Sequence, residues 1–257
     1  MHWFDLTLPG IEANLALDEA LLLAAEGDEI APTLRFWEMA QPAVVLGMNS
    51  RLTEEVLLGA CRADGVAIAR RCSGGGAVVL APGCLIFSLV LPSTGSSPLD
   101  ARSSITEVLN RLAAKLRDHG LEVRPAGISD LAWQERKVSG NSQRRLRRYF
   151  LHHGTLLYDF DVHLAERYLP MPPRQPEYRR GRSHRQFLTN LPRKREQLVS
   201  CVCQAFAAEE LPYRGGLNPA PGDPKWHQMT DLPRPILDSV RQLIQMKYGR
   251  PEWLTRR

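Results

Sequence analysis

The chain has 257 residues, 44% of them hydrophobic and 24% charged, which excludes a collagen, a coiled-coil rod and a wholly disordered chain. This length supports a sizeable core, in one large domain or two small ones. The 33 Lys and Arg against 28 Asp and Glu leave a formal net charge of +5, far from a histone-like polycation but enough to suggest an anionic partner, whether nucleic acid, nucleotide, acidic protein or membrane surface.

The N-terminal segment carries Asp5, Glu12, Asp18 and Glu19 where a signal peptide needs a basic start and an unbroken apolar stretch. The longest apolar stretch, 77–92, is too short to span a bilayer and is interrupted by Pro82 and Gly83. A cytoplasmic protein without a membrane partner is expected. The five cysteines, Cys61, Cys72, Cys84, Cys201 and Cys203, form no even framework and are expected to be reduced thiols. Cys201 and Cys203 fall in an apolar helical pattern and read as small buried hydrophobes rather than metal ligands.

In chain order, residues 13–26 predict an amphipathic helix with Leu15, Leu22 and Leu23 on one side. Strands are predicted at 34–39, 43–47, 66–71, 77–80 and 84–91, with a helix over 54–62 between the second and third. Ile105, Val108, Leu109, Leu112, Ala113 and Leu116 repeat at helical spacing, and Gly120 stops that helix. Further strands are predicted at 121–124, 130–138 and 149–158, then helices at 162–168, 195–210 and 236–248. Residues 212–235 read as a loop, with nine Pro or Gly among 24. The order is not a βαβα alternation, so the expected fold class is α+β, a mixed β-sheet with surrounding helices. One domain over 1–257 is expected, with 195–257 as a helical elaboration of it.

Three segments could carry chemistry. Arg70, Arg71, Cys72, Ser73, Gly74, Gly75, Gly76, Ala77 and Val78 follow a predicted strand directly. Consecutive glycines let backbone N–H groups approach a ligand, and two arginines with a hydroxyl suit phosphate or carboxylate oxygens. No Gly-Lys-Ser/Thr follows, so this is not a Walker A loop; the plain alternative is a tight turn with solvated arginines. The second segment runs from Ser129, Asp130 and Leu131 to Arg136, Lys137, Val138, Ser139, Gly140, Asn141, Ser142 and Gln143. Here a lysine offers a point charge to a carboxylate or phosphate, and Asp130 is a candidate Mg²⁺ ligand; the alternative is a hairpin with exposed basic residues. In the third, His152 and His153 precede Gly154 and Thr155. Adjacent strand residues face opposite sides, so the two histidines do not share one metal.

Together these segments resemble the lipoate–protein ligase family of the biotin/lipoyl ligase superfamily. Asn14-Leu15-Ala16 with Asp18-Glu19 is similar to that family's first helix, and Phe36-Trp37 through Val44-Val45-Leu46-Gly47 to its first strand pair. Residues 70–78 resemble its RRxSGGGAV signature, 136–143 its RKxSGSAQ element, and 153–157 its HGTLL strand; Thr189-Asn190-Leu191 and Trp253 resemble later elements. The resemblance implies a sheet related to class II aminoacyl-tRNA synthetases. It also implies ATP, Mg²⁺ and lipoate as ligands, and an acyl-adenylate passed to a lysine of an acidic lipoyl domain or glycine-cleavage H-like protein. It assigns catalysis to Lys137, and nucleotide and acyl-adenylate binding to Arg70, Arg71, Ser73, Gly74, Gly75, Gly76, Ala77, Val78, Val79, Lys137, Ser139 and Gly140. His153, Gly154 and Thr155 fall to the acyl pocket, and Asp130 to the metal. The sequence departs from the pattern at 79–84, where Val-Leu-Ala-Pro-Gly-Cys replaces an aromatic-His-Asp run. Larger members carry an accessory domain beyond this length, so a separate accessory protein is a further expected partner.

Three other readings stay open. An octanoyltransferase works through a cysteine thioester; residues 120–137 contain no cysteine, which leaves Cys72 and Cys84 beside the glycine loop as its candidate thiols. Biotin ligation lacks its own glycine- and arginine-rich signature. A non-catalytic binder of lipoyl domains or nucleic acid fits the missing His-Asp pair, although the aromatic clusters of an RNA module are sparse; no nucleic-acid partner is expected. The charge is uneven. Residues 136–195 hold 15 Lys or Arg and four Asp or Glu, a local +11 that leaves −6 elsewhere. Arg144, Arg145, Arg147 and Arg148 within it are the candidate docking residues for an acidic acceptor.

Overall fold

The computed structural model describes residues 1–93, 101–210 and 232–256. An eight-stranded mixed sheet runs in the order β11-β1-β2-β6-β10-β9-β8-β7. Its strands are β1 (His2–Asp5), β2 (Thr33–Trp37), β6 (Cys84–Pro92), β7 (Val123–Ala126), β8 (Asp130–Trp133), β9 (Arg136–Arg145), β10 (Tyr149–Leu157) and β11 (Glu209–Glu210). β1 pairs in parallel with β2 and β11, and the remaining pairs are antiparallel. A smaller sheet, β4-β3-β5, is built from β3 (Ala43–Leu46), β4 (Ala67–Arg70) and β5 (Val78–Leu80). The expected α+β class with a mixed sheet and surrounding helices is what the chain forms.

Alternation along the central strands divides the core in two. On β6, Leu85, Phe87 and Leu89 face α4 (Ala101–Asp118) and α7 (Arg195–Ala205), while Ile86 and Val90 face α1 (Ile11–Glu26) and the small sheet. α1 is therefore covered nearly all round, by the large sheet and by α8 (Arg234–Leu243). It is a buried helix rather than the expected amphipathic one, and Leu23 is its solvent-facing residue, 42% exposed. Asn14 pins its entry, accepting from the Leu8 N–H at 2.9 Å and donating to the Leu8 and Gly10 carbonyls.

Several predicted elements divide or shift. The strand expected over 130–138 is two strands joined at Gln134 and Glu135, both with positive φ, a hairpin turn without the usual Asn-Gly chemistry. The helix over 54–62 is two short helices, α2 (Leu52–Glu55) and α3 (Leu58–Ala63). The helix over 195–210 ends at Ala205, and β11 adds a strand to the supposed helical elaboration. The last predicted helix changes at Ile244 into a π-helical turn, Ile244–Tyr248, followed by α9 (Pro251–Thr255). Two short helices complete the count among the described residues, α5 (His163–Tyr168) and α6 (His184–Phe187). Of the loop predicted over 212–235, residues 212–231 lie outside the described residues, and Arg234 already begins α8.

The turn at Pro82-Gly83 locks the small sheet to the end of β10. Gly83 has φ +82°, its N–H donates to Glu38, and its carbonyl accepts from Tyr158 and Asp159. A Cβ there would lie 2.0 Å from the Asp159 carbonyl carbon. Gly83→Ala therefore meets both an unfavourable backbone region and main-chain atoms, and is expected to cost about 3 kcal/mol or more in urea denaturation.

Candidate active site

The glycine-rich segment 73–77 links β4 to β5 and is braced from several sides. The Met48 N–H donates to the Ser73 carbonyl at 2.7 Å, and the Ser50 hydroxyl to the Gly75 carbonyl at 3.1 Å. Gly47 lies so close that a Cβ would fall 1.8 Å from the Gly75 oxygen. Arg71 curls inside the loop and donates to the carbonyls of Gly74 at 2.5 Å and Gly76 at 3.0 Å and to the Ser73 hydroxyl at 3.1 Å. Burial brings its guanidinium down to about 10. Ala77, expected to give its N–H to a nucleotide, donates instead to Glu55 at 2.9 Å.

Arg70 does not enter the cavity. Strand alternation sends it to the opposite side, where it is 1% exposed and donates to the main-chain carbonyls of Gly47, Met48, Ser50, Leu254 and Arg256. The expected ligand contact by Arg70 is replaced by a structural role. Ser73 and Gly74 also stand behind the cavity wall rather than on it.

Lys137 reaches the site through an irregularity in the sheet. β8 and β9 pair as Leu131↔Ser139 and then Ala132↔Lys137, leaving Val138 as an extra residue. This bulge turns Lys137 to the face that carries Asp130. The Lys137 ammonium lies 2.7 Å from Asp130 Oδ1 and folds over Gly140, where a Cβ would sit 2.9 Å from Nζ. The other oxygen of Asp130 accepts from the Tyr178 hydroxyl at 2.8 Å. Burial, and then the Asp130 charge, push the Tyr178 phenol far up, so it acts as a donor. The Thr155 hydroxyl accepts from the Gly140 N–H at 3.2 Å.

The two histidines of β10 do face opposite sides. His153 lies on the cavity side, with Nε2 2.5 Å from the Ser73 hydroxyl and Nδ1 3.4 Å from Asp18. Asp18, 1% exposed, also pairs with Arg35 at 2.7 Å and accepts from Ser88 at 2.7 Å. Burial alone raises a carboxyl, but Arg35, His153 and Ser88 outweigh it and hold Asp18 below its ordinary value. His152 stacks on Phe87. The Asn141 amide donates to Ser129 and Ser139, so its oxygen takes the His152 Nε2–H at 3.1 Å, and Gln143 donates to Nδ1 at 3.0 Å. This fixes a neutral tautomer, and burial lowers the imidazole to about 3.

These elements enclose a cavity of about 270 Å³. One wall holds Arg71, Gly75, Gly76, Ala77, Val78 and Val79; a second holds Asp130, Lys137, Ser139 and Gly140; His153, Gly154 and Thr155 lie between. Leu15, Trp37, Ile86, Leu157 and Phe160 form an apolar trough, with Cys84 beside them. Asn141 and Ser142, named in the second segment without a role, line the cavity; Trp37, Arg174 and Arg179 were not assigned to the site, nor Asp18 and Tyr178 behind it. For Asp18 there was a signal, since Asn14, Asp18 and Glu19 interrupt an otherwise apolar helix and must be paired if it is buried. Among the described residues no group of three or more His, Cys, Asp or Glu could hold a metal ion.

Outside the cavity, Arg148 pairs with Asp28, and Arg145 donates to Ser93 and Ser104 and lies over Phe150. Arg144 lies against Met48 beside the glycine loop, and Arg147 is exposed. No helix among the described residues is long and apolar enough to cross a membrane.

Residues 11–208 match the model of the lipoyl protein ligase A/B catalytic domain. The chain belongs to this family. It is 34% identical to the probable lipoate-protein ligase A of Mycoplasma genitalium over 66% of its own length and 50% of that protein's. It is 30% identical to the octanoyltransferase LipM of Symbiobacterium thermophilum over 97% of its own length and 95% of that protein's. The chain thus spans about half the length of the Mycoplasma ligase and nearly all of the octanoyltransferase. Among solved structures, a bipartite lipoate protein ligase from Thermoplasma acidophilum matches with TM-score 0.78 and 23% identity, covering 99% of this chain and 96% of that one. An ATP-bound lipoate-protein ligase A matches with TM-score 0.78 and 22% identity, covering 99% of both. These two likenesses show the family's fold.

Neutral His152 contributes acid sensitivity to the fold of this chain. Its pKa is about 3 in the folded chain and 6.5 ordinarily, so between these values the unfolded chain binds a proton that the folded one refuses. Stability therefore falls as pH drops from 6.5, by up to about 1.4 kcal/mol per pH unit. Denaturant titrations between pH 6.5 and 4.5 should show a shallower loss for His152→Gln than for the wild type.

Proposed function

We propose that this chain activates lipoate, or octanoate, with ATP and transfers the acyl group to a lysine of an acceptor lipoyl domain, with residues 1–257 acting as one catalytic domain. The observation that carries this reading is Lys137, an ammonium held by Asp130 on the wall of a cavity that also presents a glycine loop and an apolar trough. The trough suits an acyl chain, and its mouth brings the carboxylate toward Lys137. An acyl carboxylate oxygen attacks the α-phosphorus, the bond to pyrophosphate breaks, and Lys137 stabilises the charge on the phosphoryl and acyl oxygens. The acceptor amine then attacks the acyl carbon, AMP departs with the C–O electron pair, and the amine loses a proton. Arg71 keeps the glycine loop in shape against the phosphates. Asp130, whose oxygens are engaged by Lys137 and Tyr178, is the carboxylate that would hold Mg²⁺ together with substrate phosphates, and the ion would neutralise phosphate charge there.

The second reading, a transferase working through an acyl-cysteine, is favoured by the near full-length similarity to LipM. It needs a thiolate. Cys84 lines the trough, but burial and then Glu38 push its thiol well up, and burial takes Cys72 to about 12. We therefore prefer the ligase. The proposed acceptor is an acidic lipoyl domain or glycine-cleavage H-like protein, and a separate accessory protein belongs to the same reading. The neighbour described as a bipartite ligase with its E2 lipoyl domain supports both.

Incubation with ATP, Mg²⁺, lipoate and an apo lipoyl domain should release pyrophosphate and add a lipoyl mass to the acceptor. Lys137→Ala should lower adenylate formation by about a hundredfold or more with an unchanged circular dichroism spectrum, while Cys84→Ser should stay active. Acceptor modification from octanoyl carrier protein alone, lost in Cys84→Ser, would overturn the ligase in favour of the transferase.

Arg144, Arg145, Arg147 and Arg148 are proposed to steer the acceptor; among the described residues Arg148 is paired with Asp28 and Arg145 is held by Ser93 and Ser104, which leaves Arg144 and Arg147 the less restrained two. Arg144→Glu with Arg147→Glu should slow transfer to the lipoyl domain about tenfold at low salt and leave adenylation unchanged. Equal loss in both steps would remove the patch from docking.

A further inference from the structure

The C-terminal segment is anchored on the rear of the glycine loop, on the side away from the cavity. The Trp253 indole N–H donates to the Arg70 carbonyl at 2.8 Å. The Arg70 guanidinium returns the contact, donating to the Leu254 carbonyl at 2.6 Å while its other nitrogen holds the carbonyls of Gly47 and Ser50. Every hydrogen bond of this buried cation among the described residues goes to a main-chain carbonyl. It therefore acts as a clamp between two stretches of backbone rather than as half of an ion pair.

The Gly47 to Ser50 stretch it holds is the one that braces the Ser73 and Gly75 carbonyls. One turn earlier, Lys247 and Tyr248 bind Glu19 of α1 at 2.7 and 2.6 Å, and Lys247 lies 4.3 Å over the Trp253 ring. Cys72, the residue just before the glycine-rich segment, is buried in the same core cluster as Tyr248. The chain end thus grips Arg70, the residue that opens the loop, by both its carbonyl and its guanidinium, and through that guanidinium it reaches the loop's brace as well.

We propose that residues 244–255 form a positioning element of the glycine loop, with Arg70 and Trp253 as positioning residues, so that nucleotide affinity depends on the docking of the chain's last helix. The nucleotide part rests on the function proposed above; the coupling of helix to loop does not.

Trp253→Phe keeps the ring and removes the N–H. The Michaelis constant for ATP should rise about threefold to tenfold, while transfer from pre-formed lipoyl-adenylate keeps its kcat. Amide hydrogen exchange at residues 71–77, measured without nucleotide, should quicken in the same variant. Deletion of 249–257 should have a larger effect on both, reversed by adding a peptide of that sequence. Unchanged exchange at 71–77 in Trp253→Phe would overturn the proposal, as would equal losses in all kinetic constants that follow thermal stability alone. Absence of ATP binding in the wild type would instead overturn the nucleotide reading, with the exchange experiment still reporting on the coupling.

Discussion

The architecture turns on one buried charge, the carboxylate of Asp18. It sits on the central helix, under the middle of the sheet, where an unpaired anion would be untenable. Arg35 from β2 neutralises it, and Arg35 also donates to the carbonyls of Leu6 and Asn14, so one guanidinium ties the entry of α1, the helix and the strand together. The remaining acceptor capacity of Asp18 goes to Ser88 on β6 and His153 on β10. Through His153 the chain of contacts continues to Ser73 and Arg71. Helix, three sheet strands and glycine loop thus share a single polar spine through an apolar interior, and the register of each is set by where its polar residue must lie.

Several of the polar groups on the cavity's walls have partners within the protein. Lys137 rests on Asp130, the Ala77 N–H on Glu55, and the Arg71 guanidinium on carbonyls of its own loop. Such pairing lets polar groups line a half-apolar cavity without leaving bare charge in a low dielectric.

Much of this was readable in the chain. The glycine run, the Arg-Lys element and the His-His pair are local signals whose chemistry does not depend on the rest of the fold, and the cavity draws its walls from all three. What was not readable depends on facing and on distant partners. Arg70 and Arg71 are identical neighbours, and only the setting of β4 in the small sheet decides which enters the loop and which holds the chain end. The bulge at Val138 leaves no compositional trace, and Gln134-Glu135 hides a hairpin that glycine or asparagine would have announced. α1 looked amphipathic because its covering helix α8 lies more than two hundred residues away in sequence. Asp18, Tyr178 and Trp253 likewise act through contacts to residues distant in the chain, His153, Asp130 and Arg70, at separations of 135, 48 and 183 residues.

The margins of the large sheet carry a consequence of their own. At one end lies β7, where Pro125 lacks a donor and Arg124 extends toward Glu135. At the other, among the described residues, lies β11, only two residues long. Neither border offers the long, regular row of free amide and carbonyl groups that another strand would need as a template. Among the described residues, the large sheet therefore gives a second copy of this chain little ladder to extend, which favours contacts made by side chains.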